Sequence, residues 1–190
     1  MTERFAAVAI GCSSGGLDAL ERILPALPPD FPAALIVVMH TTPESRNLLV
    51  ELLGKRCRLP VSEARERSKI LPGMIYVAPP AYHLLVEDNH TFSLSSDPKV
   101  SYARPSVDVL FESAAHAYGK RLIGVILTGA NRDGSDGLRA VAEAGGLCLV
   151  QDPAGAEART MPETALNACM AARRVPLDEI AETLIEALNP

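Results

Sequence analysis

Gly11-Cys12-Ser13-Ser14-Gly15 sets a serine between two glycines in the pattern G-x-S-x-G. In that pattern a sharp strand-to-helix turn lifts the serine hydroxyl out of a sheet, where it can attack a carbonyl carbon. The glycines permit the tight backbone, and a helix start behind the turn offers free N–H groups to a developing oxyanion. Ser13 holds the middle position and is the expected nucleophile. Ser14 is its rival, better suited to supply a backbone N–H and a capping hydroxyl. Cys12 offers a thiol, but its position in the pattern faces the fold, where a cysteine serves as a small apolar residue.

A serine hydroxyl is a poor nucleophile at neutral pH and needs a base. The chain has four histidines, and only His40 directly follows a continuous apolar run, Ala34 to Met39. His83 and His90 fall in an expected hairpin and His116 near a helix end, so these three read as surface residues. The imidazole in turn needs an acid to fix its tautomer. Asp133 is placed for that task, in the Gly-flanked stretch Thr128 to Gly134 after the apolar run Leu122–Leu127. Two other aspartates compete with it. Asp136 reads as a first-turn helix residue, and Asp152 as a turn aspartate before Pro153.

These residues converge only if the apolar runs are neighbouring strands. The runs Phe5–Ile10, Ala34–Met39, Met74–Ala78, Leu122–Leu127 and Leu147–Val150 are continuously apolar, as parallel strands buried on both faces are. Between them, apolar residues recur at helical spacing, as at Leu17, Leu20, Ile23, Leu24 and Leu27. Ser106 reads as the N-cap of a later helix, and Gly145-Gly146 as a helix stop. A last helix is expected from about Asp178. Tyr82–Val86 and Thr91–Leu94 read as one antiparallel hairpin. The expected fold is therefore α/β, a doubly wound and mostly parallel sheet with helices on both faces. Ligands of such sheets bind beyond the carboxyl ends of the strands, where Ser13, His40 and Asp133 would all lie.

A length of 190 residues fits a single domain, expected over 1–190, and no repeat or linker divides the chain. The net charge of −5, with no basic stripe, argues against nucleic-acid binding. The mixed stretch from Arg56 to Lys69 reads as a solvated surface. The four cysteines are sparse and lack CxxC spacing, which fits a reducing compartment and argues against a zinc site. The first apolar run is too short to span a membrane, and no signal-peptide cleavage pattern follows. A soluble cytoplasmic protein is expected, with no metal or organic cofactor and no membrane insertion.

Beyond these patterns, Ala9-Ile10-Gly11-Cys12-Ser13-Ser14-Gly15-Gly16, Met39-His40-Thr41-Thr42-Pro43 and Ile75-Tyr76-Val77-Ala78-Pro79 resemble successive motifs of the chemotaxis receptor methylesterase (CheB-type) domain. So do Arg104 to Phe111, Gly124 to Gly129, Asp133-Gly134 and Met161-Pro162, in order over nearly the whole chain. The resemblance implies Ser13 as nucleophile, His40 as base and Asp133 as orienting acid, with backbone N–H groups around Ser14 and Ala130 holding the oxyanion. It implies hydrolysis of glutamate γ-methyl esters on chemotaxis receptors, releasing methanol, and deamidation of receptor glutamines as a further activity. It implies no cofactor. Many members carry Met-Gly where this chain has Ala130-Asn131. The family's usual architecture also adds an N-terminal receiver domain that covers the site until phosphorylated. With the first strand beginning at Phe5, this chain is expected to lack that switch, which leaves a separate receiver or chemosensory protein as a candidate regulator.

Two readings from other classes stand beside this one. The Gly-rich turn at a helix start could bind an anion or nucleotide, although neither G-x-G-x-x-G nor G-x-x-x-x-G-K-[ST] is present. A catalytically silent adaptor of a chemosensory pathway is the other, although all three triad positions are filled.

Overall fold

A parallel strand buried on both faces must be apolar on alternate sides at once, and Ala7–Cys12, the first strand (β1), meets that demand. In the computed structural model, which describes residues 5–40 and 48–188, every residue of β1 is buried. Its side chains alternate between two cores. Ala7 and Ala9 join one apolar cluster; Val8, Ile10 and Cys12 join the other.

Among the described residues, β1 sits at the centre of a seven-stranded sheet whose strands all run parallel. On one side lie β2 (Ala34–Met39), β4 (Ile75–Val77) and β3 (Val61–Glu63). On the other lie β7 (Leu122–Ile126), β8 (Leu147–Gln151) and β9 (Arg173–Val175). The chain therefore winds outward from β1 in both directions, so strand order reverses there. That reversal opens the crevice in which doubly wound sheets bind ligands. A separate antiparallel hairpin pairs β5 (His83–Val86) with β6 (Phe92–Ser95).

Helices cover both faces. One core packs α3 (Val107–Tyr118), α4 (Ser135–Glu143) and α5 (Thr160–Ala168) on the sheet, through Leu110, Phe111, Leu138, Val141, Met161 and Ala165. The other packs α1 (Gly16–Ile23), α2 (Leu48–Gly54) and α6 (Ile180–Leu188), through Leu20, Ile23, Leu53, Ile180 and Leu184. Fully burying each such side chain contributes roughly 1.5–3 kcal/mol, so the sheet is clamped from both sides. The expected doubly wound, mostly parallel architecture with one antiparallel hairpin is what forms. Ser106 caps α3, its Oγ accepting from the Val109 N–H at 3.4 Å, and Gly145 takes φ 81° just beyond α4.

The structure also departs from the sequence reading. The edge strands β3 and β9 have only three residues each, and their Val-Ser-Glu and Arg-Arg-Val sequences carry no apolar run. Two of the histidines read as surface residues are not. The hairpin packs against α3 through Leu84, Val86 and Phe92, and this buries His83 to 1% exposure. His83 accepts from the Ser106 N–H at Nδ1 (3.2 Å) and faces the Pro98 carbonyl with Nε2 (3.0 Å). His90 is half-buried, stacked on Tyr118 with ring centroids 4.5 Å apart. His116 is exposed and pairs with Asp88 at 3.3 Å.

Candidate active site

The sheet register brings three chain segments to one rim. Ser13 follows β1, His40 follows β2, and residues 128–134 follow β7, the two flanking strands of β1. Backbone hydrogen bonds lock these exits together: the Ser13 N–H donates to Thr128 O at 2.9 Å, and the His40 N–H donates to Cys12 O at 3.1 Å. The Thr128 hydroxyl donates to Ser14 O at 2.8 Å, so the turn after β1 is tied to the end of β7 from both sides.

The turn itself depends on glycine. Gly15 has φ 75°, a left-handed conformation that costs other residues energy. Gly129 permits a close approach: a Cβ there would lie 3.0 Å from Ser13 Cβ and 2.2 Å from Met161 Sδ. Cys12, the thiol alternative, is fully buried, and burial pushes its thiol up to about 12, which removes it as a nucleophile at neutral pH.

Asp133 sits at the N-terminus of α3, fully buried. Its Oδ2 accepts from His40 Nε2 at 2.7 Å and from the Val107 N–H at 2.7 Å. Its Oδ1 accepts from the Ser106 hydroxyl at 2.7 Å and from the Asp108 N–H at 3.1 Å. Burial alone would raise this carboxyl, but hydrogen bonds from His40, Val107 and Ser106 outweigh it and hold Asp133 below the usual carboxylate range. The acid therefore stays ionised and can hold an imidazolium.

The other imidazole nitrogen has its own neighbour. Asn131 Nδ2 lies 3.2 Å from His40 Nδ1. The amide's orientation is set by its oxygen, which accepts from the Asp133 N–H at 3.1 Å. His40 therefore gives its Nε2 proton to Asp133 and carries its lone pair on Nδ1. Sequence reasoning had noted Asn131 only as a departure from a family pattern; its two-residue spacing from the acid was the available signal.

Asp108 was also missed as part of this cluster. Its Oδ1 accepts from the N–H groups of Gly134 (2.9 Å) and Gly137 (2.7 Å), bracing the Asp133 turn against α3. Burial pushes its carboxyl up to about 7, partly offset by the Gly137 N–H, with the Asp133 charge raising it further. The two competing aspartates fall elsewhere. Asp136 bridges Arg132 and Arg139 on the surface, and Asp152 caps its own turn by accepting from the Ala154 N–H at 3.0 Å.

Ser13, His40 and Asn131 share one cleft of about 290 Å³ with Ala81, Lys99, Tyr102, Ala103, Arg104 and Pro105. No hydrogen bond joins Ser13 to His40, as is common before substrate draws such groups together. The N–H groups of Ser14 and Ala130 meet no backbone acceptor among the described residues. Ser14 and Ala130 stand outside the cleft lining, where Asn131 is the member of its turn that faces in. Thr41, Thr42 and Pro43, part of the motif around His40, lie outside the described residues. Among the described residues no three His, Cys, Asp or Glu side chains gather to hold a metal, and no helix is long and apolar enough to cross a membrane.

Fold and rim together define a class: α/β proteins that gather a serine, a histidine and an aspartate beyond the carboxyl ends of a doubly wound parallel sheet. Within it, the chain belongs to the CheB methylesterase family, whose model matches residues 8–184. A Leptospira interrogans relative is 46% identical over 181 residues, covering 95% of this chain and 94% of its own length. A Symbiobacterium thermophilum relative, named protein-glutamate methylesterase/protein-glutamine glutaminase, is 37% identical; the match covers 96% of this chain and 50% of that protein. The crystal structure of the Thermotoga maritima CheB methylesterase catalytic domain superposes with a TM-score of 0.92 at 34% identity, covering 97% of this chain and 99% of that one.

Proposed function

We propose that this chain hydrolyses γ-methyl esters of glutamate side chains on chemotaxis receptors, releasing methanol. The observation that carries the reading is the 2.7 Å pair of His40 Nε2 and the buried Asp133 carboxylate, on the same rim as Ser13. In this mechanism the Ser13 hydroxyl attacks the ester carbonyl while His40 Nδ1 takes its proton, and Asp133 stabilises the imidazolium. The N–H groups of Ser14 and Ala130, which meet no backbone acceptor among the described residues, hold the oxyanion on this reading. His40 returns the proton to the departing methoxide, so methanol leaves and an acyl-Ser13 ester remains. Water then repeats the sequence, giving the glutamate carboxylate and free Ser13. A receptor glutamine follows the same path with ammonia leaving.

On this reading the strands, helices and rim described above act as one cytoplasmic catalytic unit that needs no cofactor. The test is methanol release from methylated receptor fragments. Ser13→Ala should lower turnover by roughly 10⁴–10⁶-fold, as loss of a triad member does elsewhere. Receptor binding without any turnover by the wild type would favour the silent adaptor instead.

A further inference from the structure

Part of the cleft wall is cationic, and the reaction chemistry above does not use that charge. The segment between β6 and α3 supplies five lining residues: Lys99, Tyr102, Ala103, Arg104 and Pro105. Among the described residues no aspartate or glutamate lines the cleft, although the protein as a whole carries a net charge of −5. Among the described residues, neither Lys99 nor Arg104 forms an ion pair with a carboxylate. Two positive charges thus stand together on the cleft wall without a carboxylate partner among the described residues.

The segment is built to hold its shape. Arg104 Nη1 donates to the carbonyls of Ser96 (2.8 Å) and Asp97 (2.9 Å), and buried His83 faces the Pro98 carbonyl at 3.0 Å. Val100 and Ala103 exchange backbone hydrogen bonds of 3.1 and 2.8 Å across a tight turn. Inside that turn Ser101 and Tyr102 take φ of 47° and 64°, which costs about 1–3 kcal/mol each for such residues. Tyr102 stands out from this turn at 98% exposure, an aromatic ring on the rim of the cleft. An exposed tyrosine beside two cations that have no carboxylate partner among the described residues has the composition of an interaction hot spot, and the charge fits an acidic partner.

We propose that this wall docks a helical protein segment carrying a carboxylate one turn from the reacting glutamate. On a helix, residues three or four apart share a face, so an ester side chain in the cleft places its acidic neighbour beside it. Lys99 meets that carboxylate, fixed Arg104 adds to the field, and the Tyr102 ring packs on the helix surface. The inference rests on the methylesterase reading for the identity of the side chain in the cleft, but its test needs no turnover.

Fluorescein-labelled helical peptides carrying one glutamate γ-methyl ester, with either Glu or Gln one turn to each side, are titrated with Ser13→Ala protein and followed by anisotropy. The Glu-flanked peptide should bind about three- to tenfold more tightly at low salt, and added salt should shrink the difference. Lys99→Gln should abolish the preference, and Lys99→Glu should turn it towards Lys-flanked peptides. Tyr102→Ala should weaken both peptides alike, and Lys55→Gln, an exposed cation outside the cleft lining, should leave the preference intact. Equal binding of the two peptides, or a preference that survives Lys99→Glu, would overturn the proposal. Tighter binding of the hydrolysed peptide with no effect of flanking charge would also overturn it, since the cations would then hold the product carboxylate. If Ser13→Ala shows the preference while the wild type releases no methanol, the hydrolase reading is refuted and the docking wall stands.

Discussion

Asn131 donates towards His40 Nδ1 at 3.2 Å, the nitrogen left free once Asp133 has taken Nε2. A donor aimed at that lone pair holds the ring so that Nδ1 is the acceptor, the role a general base must fill. A carboxylate in its place would bring a negative charge against that nitrogen. In Asn131→Asp the carboxylate sits against Nδ1, and the acid limb of kcat/KM for methanol release should move to higher pH by about one unit or more. Asn131→Ala should fall between it and the wild type. Among the described residues the other charged groups near His40, namely Asp133, Lys99 and Arg104, are the same in all three proteins. An acid limb that stays put in Asn131→Asp would show that the amide has no hold on the base.

Asp133→Asn keeps the shape of the acid but not its role. An amide in that place can turn its NH₂ group towards His40 and impose the wrong tautomer. Methanol release should drop by about 10⁴-fold with the fold intact. Residual turnover within tenfold of wild type would remove Asp133 from the mechanism.

Asp108 gives stability a pH dependence. Its carboxyl is pushed up to about 7 in the folded protein from an ordinary 3.8, with burial the largest cause. The folded state therefore keeps a proton that the unfolded chain releases, and folding is penalised increasingly as pH rises from about 4 to about 7. Asp133 shifts the opposite way, so its contribution is complete above its unfolded value and adds no slope in the upper part of this window. Asp108→Asn can still accept from Gly134 and Gly137 through its amide oxygen. Its Tm should stay nearly level between pH 5 and 7.5 where the wild type declines; parallel curves would contradict this account.

Gly129→Ala places a methyl 2.2 Å from Met161 Sδ and 3.0 Å from Ser13 Cβ. Met161 can shift its thioether, but Ser13 is held by its N–H bond to Thr128 and has little room. A displaced hydroxyl lowers kcat more than it raises KM, and a loss of about 10²-fold is expected from stopped assays of methanol. Unchanged kcat would mean that the turn yields without moving Ser13.

The rim is legible in the sequence because each of its residues lies in the segment that follows a run only a doubly buried strand would carry. Ser13, His40 and Asp133 are singled out by these strand ends in the sequence alone. The remaining parts depend on packing between distant segments. His83 looked like a hairpin surface residue, yet the hairpin leans on α3 and buries it. Asp108 matters through glycines 26 and 29 residues away, a relation no local period records. The strands β3 and β9 are too short and too polar to announce themselves; their neighbours in the sheet define them.

The acid of the site is fastened by the first amides of a helix that follows a different strand. Val107 and Asp108 each lend a backbone hydrogen to Asp133. Any fluctuation that peels α3 from the sheet therefore strips the carboxylate of two anchors and leaves the imidazole without guidance, even while the seven strands stay paired. Deuterium uptake at those two amides thus becomes a clock for how often the enzyme is switched off by its own breathing.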